Sequence, residues 1–399
     1  MKKTLAAIAV LSAFAGSSFA ANVTLYGVAD LGMNYQHQKV DGEDAVDQFT
    51  MNNGQNSGSR FGLKASEELG NGMKVGVVLE NGFNADDGKL GQGSRLFGRQ
   101  ASLYVQGDFG ELAMGRMGAL TSGCGTYAVS YSNGFGTGWG DTVGSKGLFN
   151  LGDRDRMDNT ITYVTPKFAG VKVFAQYSFQ ADGQEEARDN QNKRYMGLGA
   201  NYELGAFTTS LVVDTVKNEA SASNKKDGLG ITFDAAYDLG VTKVYGLAQY
   251  GKNENKFAGV TVKDVYAYDD VDADGNDIVS YFDNEGFKGY ALAFGATAPV
   301  LGGTALAQVN YTDGKTCADV TAEVELDGTP TAVDMSGEAK RWGLAVAYEY
   351  PLSKRTKVYT FAGYNEVKYE VTAKVVDASL TGSSKEKTTE FGFGMVHKF

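Results

Sequence analysis

Thr388-Thr389-Glu390-Phe391-Gly392-Phe393-Gly394-Met395-Val396-His397-Lys398-Phe399 alternates along its length. In an extended strand Phe391, Phe393, Met395, His397 and Phe399 share one face, and Glu390, Gly392, Gly394, Val396 and Lys398 share the other. The period is two, with one face largely apolar and aromatic and the other small or charged. Such a strand must pair or remain an open edge, and an open edge is not tolerated in lipid. Its natural partner is the first strand of the chain, which would close a sheet into a barrel.

The body of the sequence repeats the pattern. Val23, Leu25, Gly27, Ala29, Leu31, Met33 and Tyr35 alternate with Thr24, Tyr26, Val28, Asp30, Gly32, Asn34 and Gln36. Phe61, Leu63 and Ala65 oppose Arg60, Lys64 and Ser66, and Trp342, Leu344, Val346, Tyr348 and Tyr350 face away from Arg341 and Glu349. Sixteen such segments are predicted: 23–36, 59–69, 72–83, 97–108, 111–117, 157–166, 170–180, 193–204, 206–217, 228–239, 241–252, 288–299, 303–313, 339–351, 355–369 and 388–399. Short connections, mostly carrying a glycine, alternate with long polar ones at 37–58, 84–96, 118–156, 181–192, 218–227, 253–287, 314–338 and 370–387. Short turns on one side, long loops on the other and an even strand number are the layout of an outer-membrane barrel. A sandwich need not alternate its loops in this way, and no propeller repeat is present.

Composition agrees. Glycine is high, 53 of 399 residues, and proline low, 4 of 399, against usual shares of about 7% and about 5%. Length alone would suggest two or three domains, yet no linker or composition break divides the chain. Met1-Lys2-Lys3, the apolar run Leu5 to Ala15 and the small residues of Ser18-Phe19-Ala20 read as a signal peptide over 1–20, leaving 21–399 as the barrel domain. Beyond it no apolar run approaches the roughly 20 residues of a membrane helix. Without Lys2 and Lys3 the formal charge goes from −11 to −13, which argues against nucleic acid as a partner. Cys124 and Cys317 are too few for a disulfide framework, though both fall in predicted loops and one bridge is topologically allowed.

Five stretches resemble general porins of the Gram-negative outer membrane: Val23-Thr24-Leu25-Tyr26-Gly27-Val28-Ala29-Asp30, Ser59-Arg60-Phe61-Gly62-Leu63-Lys64, Phe109-Gly110-Glu111-Leu112-Ala113-Met114-Gly115-Arg116, Arg156-Met157-Asp158-Asn159-Thr160-Ile161-Thr162-Tyr163 and His397-Lys398-Phe399. The resemblance covers essentially all of 21–399. It implies an all-β, transmembrane, antiparallel 16-stranded barrel with short periplasmic turns, long extracellular loops and an inward-folded third loop. It also implies a homotrimer in outer-membrane lipid, passing ions and small hydrophilic solutes through a passive pore without a cofactor. A solute-specific channel of the same fold is the alternative. In that family the final aromatic, here Phe399, helps the outer-membrane assembly machinery recognise the chain.

A barrel of 16 strands leaves an aqueous channel, so selectivity requires a constriction. Segment 118–156 resembles the porin loop that supplies it, with Asp141 as its acidic group. Arg60 and Lys64 share the pore phase of the second segment, and Arg156 shares phase with Asp158, Thr160 and Thr162. Arg99 resembles a further member of the basic cluster, but its phase matches Ala101, Leu103 and Val105. Either a bulge shifts the register there or Arg99 sits at the rim. Opposed charges across such a throat create a transverse field.

Asp270, Asp272 and Asp274 have the spacing that opens an EF-hand loop, which makes them weak calcium candidates, but the twelfth position is Tyr281 rather than Glu. The two histidines, His37 and His397, have no Ser, Cys or paired carboxylate in a recognisable motif. Nothing in the sequence therefore points to an enzyme.

Overall fold

The computed structural model describes residues 22–129, 139, 154–219, 226–257, 260–261, 268–271, 277–280, 286–317, 320–326, 329–375 and 378–399. Sixteen of its strands form one wall. They are β1 (Asn22–Val40), β2 (Arg60–Gly70), β3 (Met73–Gly82), β4 (Gln100–Gly107), β5 (Gly110–Gly118) and β6 (Arg156–Val164). Then come β7 (Val171–Ser178), β8 (Arg194–Leu204), β9 (Phe207–Lys217), β10 (Gly228–Asp238) and β11 (Lys243–Glu254). The wall continues through β12 (Phe287–Val300), β13 (Gly303–Thr316), β14 (Thr329–Pro351), β15 (Thr356–Val375) and β16 (Ala378–Lys398). Each strand is antiparallel to the next.

The wall closes. β16 pairs with β1 from Val28↔Lys398 to Val40↔Glu386. One further rung is made by Phe399, whose N–H donates to the Gly27 carbonyl at 3.0 Å while the Gly27 N–H donates back at 2.9 Å. All sixteen predicted segments are strands of this barrel. Their polarity is inverted relative to a soluble protein. Leu198, Phe294 and Met395 on the outer face are 60%, 58% and 50% exposed, whereas Asp30, Thr162 and Glu390 on the inner face are 0%, 0% and 1% exposed. Lipid surrounds the first group, and the second is enclosed on the polar inner side of the barrel.

The short turns lie at one end of the barrel, as expected. In the β2–β3 turn Asn71 and Gly72 both have positive φ, 49° and 74°, the conformation of a primed hairpin turn and the reason Asn-Gly suits it. The long connections depart from their sequence reading. Segment 370–387 is not a loop: β15 and β16 run on together to Val375↔Ala378. Part of 37–58 forms a strand, Val46–Asn53, paired to β1, and part of 314–338 forms Val320–Leu326, paired to β14. Beyond the bilayer both faces of a strand are wet. The apolar–polar alternation that reveals a strand in lipid disappears there, while β-branched residues such as Val371 and Thr372 still favour pairing.

The wall is also uneven in height. β4 and β7 have 8 residues each, whereas β14 and β16 have 23 and 21. Spanning takes about 9–11 tilted residues, so β14 to β16 rise well above the membrane.

At the closing seam the Phe399 ring lies over Gly27 on the outer face: a Cβ on Gly27 would come 2.2 Å from Phe399 Cζ. Gly27→Val should therefore displace the ring and, like Phe399→Ser, lower the yield of heat-modifiable barrel severalfold. The check is the mobility of membrane-extracted protein on denaturing gels with and without boiling. Unchanged yields would mean that the ring–glycine contact is dispensable for closure.

Candidate pore constriction

The third long connection enters the barrel, and its described residues touch the inner wall on both sides. On one side Tyr127 donates its hydroxyl to Glu111 of β5 at 2.6 Å, and Leu120 and Val129 pack on Val212 of β9. On the other side Trp139 is 2% exposed and meets Tyr359 and Phe361 of β15 edge-on, at 5.5 and 6.1 Å between ring centroids. Val28 of β1, Val396 of β16 and Ala345 of β14 complete this apolar seat. The Trp139 N–H also donates to the carbonyl of Gln55. The described residues of the connection thus touch both the β5–β9 wall and the closing seam. Asp141 lies outside the described residues.

A basic group lines the lumen near the seam. Glu80 of β3 is its hub: Arg99 Nε stands 2.7 Å from one oxygen, and Tyr26 of β1 donates its hydroxyl to the other at 2.8 Å. Arg60 Nε stands 3.8 Å from that second oxygen and donates through Nη1 to the Gly58 carbonyl at 2.7 Å. Lys64 sits 5.0 Å above the Tyr26 ring centroid, within cation–π range. Gly58 lies close beside the group: a Cβ there would come 3.1 Å from Arg99 Nη1.

The backbone explains how Arg99 reaches this group. Its N–H donates to the Glu80 carbonyl at 3.2 Å, while the next residue, Gln100, is Glu80's register partner. Two residues face one, as in a bulge, and Arg99 leaves the lipid phase that regular alternation from Ala101 would assign it.

A second irregularity acts on Arg156. The β5–β6 register shifts between Gly115 and Met117, and Asn159 has a φ of 48°. Met157 rather than Arg156 joins the buried group of Ala119, Tyr195 and Val216, while Arg156 pairs with Asp155 at 3.1 Å. Asp158 accepts from Arg116 at 2.6 Å and from Arg95 at 2.7 Å. Arg116 shares a rung with Ala101, on the side of the exposed Met114. Regular alternation would have put Arg156 and Asp158 with Thr160, and the inserted residue moves them off that phase.

The structure therefore brings Arg60, Lys64 and Arg99 together around Tyr26 and Glu80, and sets Arg156 apart. Glu80 was readable as an inward position between the apolar Leu79 and the small Asn81–Gly82 stretch, but its pairing depends on strand register. Trp139 carried no periodic signal. Asp270 belongs to a short strand, Tyr268–Val271, and Asp272 and Asp274 lie outside the described residues. Among the described residues no cluster of His, Cys, Asp and Glu could hold a metal, and Cys124 and Cys317 are not bridged to each other.

Comparison with known proteins agrees with the fold. An outer membrane porin protein of Bordetella pertussis is 31% identical, over all of both chains. Outer membrane porin protein 32 of Delftia acidovorans is 32% identical over 65% of this chain and 72% of its own. The solved structure of an anion-selective porin from Comamonas acidovorans matches with a TM-score of 0.65 at 24% identity, covering 95% of this chain and 100% of that one. The family model described as Gram-negative porin matches residues 6–370, and the chain belongs to that family of outer-membrane diffusion channels.

Proposed function

We propose that the throat of this channel lies between the Trp139-bearing connection and the Arg60–Glu80–Arg99 group, and that it favours anions. One observation carries the reading: among the described residues, Arg60, Lys64 and Arg99 gather on one stretch of lumen around the carboxylate of Glu80. Three cations gathered on one described carboxylate give that stretch a positive field, and β2 carries two of them, Arg60 and Lys64. The Comamonas acidovorans porin is named for anion selectivity, which supports the same direction. Small hydrophilic anions and neutral solutes are the expected cargo.

Further proposals complete the picture. Residues 1–20 act as a signal peptide removed on export, and Phe399 contributes to recognition by the assembly machinery. Asp141 supplies the negative side of the throat. The assembly is a homotrimer, its contacts on the low side of the wall where β4 and β7 have 8 residues each. Unheated protein should then run well above the 42.5 kDa of the full chain and collapse to monomer on boiling. Monomeric mass by light scattering in mild detergent would refute the trimer.

Selectivity is tested in planar bilayers under a salt gradient. A unit charge at about 4 Å in an effective dielectric near 20 contributes roughly 4 kcal/mol to a passing ion before screening. A tenth of that shifts a permeability ratio about twofold. Arg60→Ala with Arg99→Ala should move the reversal potential toward cations by at least this much. Glu80→Gln and Asp141→Asn should move it toward anions. Shifts no larger than the scatter between bilayers would remove these residues from the throat.

A further inference from the structure

A buried ionic group at the base of the third connection has no part in the throat itself. Arg154, two residues before β6, donates through Nε to Asp214 of β9 at 2.6 Å. Its two terminal nitrogens reach the two carboxylate oxygens of Glu254, the last residue of β11, at 2.5 and 2.7 Å. The three side chains are 5%, 0% and 2% exposed. The second oxygen of Asp214 accepts from Thr121 at 2.8 Å and from Tyr195 of β8 at 3.1 Å. Tyr195 in turn accepts the Leu120 N–H at 3.3 Å. Thr121 lies where the connection leaves β5 and Arg154 where it returns to β6. One carboxylate therefore holds both feet.

The wall is shaped for this contact. Asp214 is flanked across both of its ladders by glycine, Gly197 on β8 and Gly230 on β10. A Cβ on Gly230 would come 2.4 Å from Asp214 Oδ1 and 3.1 Å from Arg154 Nη2, and one on Gly197 would come 2.6 Å from the Tyr195 hydroxyl. Glycine inside a strand weakens it and marks a place where another group approaches closely. Two such positions beside one aspartate form a recess for the guanidinium and the phenol. Burial opposes the charge on Arg154, but Asp214 and Glu254 outweigh it and hold its pKa above the usual arginine range.

We infer that Arg154, Asp214 and Glu254, with Thr121, are positioning residues that clamp both feet of the third connection to the β9–β11 wall and so fix the bore of the channel. The closed barrel would form without them, since every ladder on either side is complete. What they set is how long the connection stays in its conducting position. Hydrogen bonds to charged groups contribute about 1.5–3 kcal/mol each, so weakening one multiplies the released fraction about tenfold or more.

The inference rests on the reading of this connection as the constriction, and the test separates the two. Full-length channels carrying Thr121→Val, Arg154→Lys or Gly230→Ala are recorded singly in planar bilayers. The first removes one foot's bond, the second keeps the charge but loses the two-pronged contact, and the third pushes a methyl group into the recess. Each should yield heat-modifiable barrel with the wild-type melting temperature on gels, while the time spent in altered sub-conductance states rises about tenfold. Wild-type dwell times in the variants that assemble would overturn the clamp, and so would a lowered melting temperature with unchanged dwell times. If any variant fails to assemble, the other two decide by the same readout. A wild-type protein that forms no channel would instead sink the constriction reading itself.

Discussion

Hydrocarbon offers a backbone N–H or carbonyl no partner, and each unsatisfied group costs several kcal/mol there. The seam between β1 and β16 is where this protein meets that demand, because without it two edges would lie open in the bilayer. The ladder from Val40↔Glu386 down to the Gly27–Phe399 rung leaves no gap. The consequence reaches the lumen, because Val28 and Val396, residues of the two closing strands, form part of the seat for Trp139. Tyr359, Phe361 and Ala345 bring most of that seat from β15 and β14, and closure adds Val28 to it.

The lumen solves a second problem, which is to carry charge without collapsing onto it. Burying an ion costs more than an imperfect partner returns. Arg99 and Arg60 share Glu80, which is itself bonded by Tyr26. Asp30 is likewise engaged more than once, accepting from Tyr359 and from the backbone of Asn56 and Ser57. The pairing fixes the positions of these side chains. Fixed charges shape a field along a solute's path better than mobile ones do.

Most of the barrel was legible because lipid on one side and water on the other write a period of two into every spanning strand. Where that contrast ends, the reading ended too. The hairpin of β15 and β16 beyond the bilayer has β-branched residues but no apolar face, and 370–387 read as a loop. Single inserted residues left little trace: the conflict between Arg99's phase and the porin resemblance left a bulge or a rim position open, and nothing marked the insertion at Asn159. The bulge before Gln100 brings Arg99 into the lumen, and the one at Asn159 takes Arg156 out of phase with Thr160, yet neither has a sequence signature beyond an ordinary Arg-Gln or Asp-Asn pair. Long-range partners were out of reach for a different reason. Trp139 finds Tyr359 and Arg154 finds Glu254 only through the closed topology, and no local pattern encodes a contact 100 residues away.

The two kinds of attachment on the third connection differ in their response to the surroundings. An outer-membrane channel meets whatever salt the outside provides, and exposed ion pairs weaken as salt rises, screened over about 8 Å at physiological strength. Pairs at the rim, such as Lys340 with Glu338, are nearly half exposed and fall in that class. The Trp139 seat is apolar and the Arg154 group is at most 5% exposed, so neither gives mobile ions access. On the reading proposed here, charge in the throat is left where solutes can feel it, whereas the contacts proposed to set its shape are withdrawn from solvent. Such an arrangement uncouples the geometry of the bore from ionic strength, while the field inside it remains free to vary.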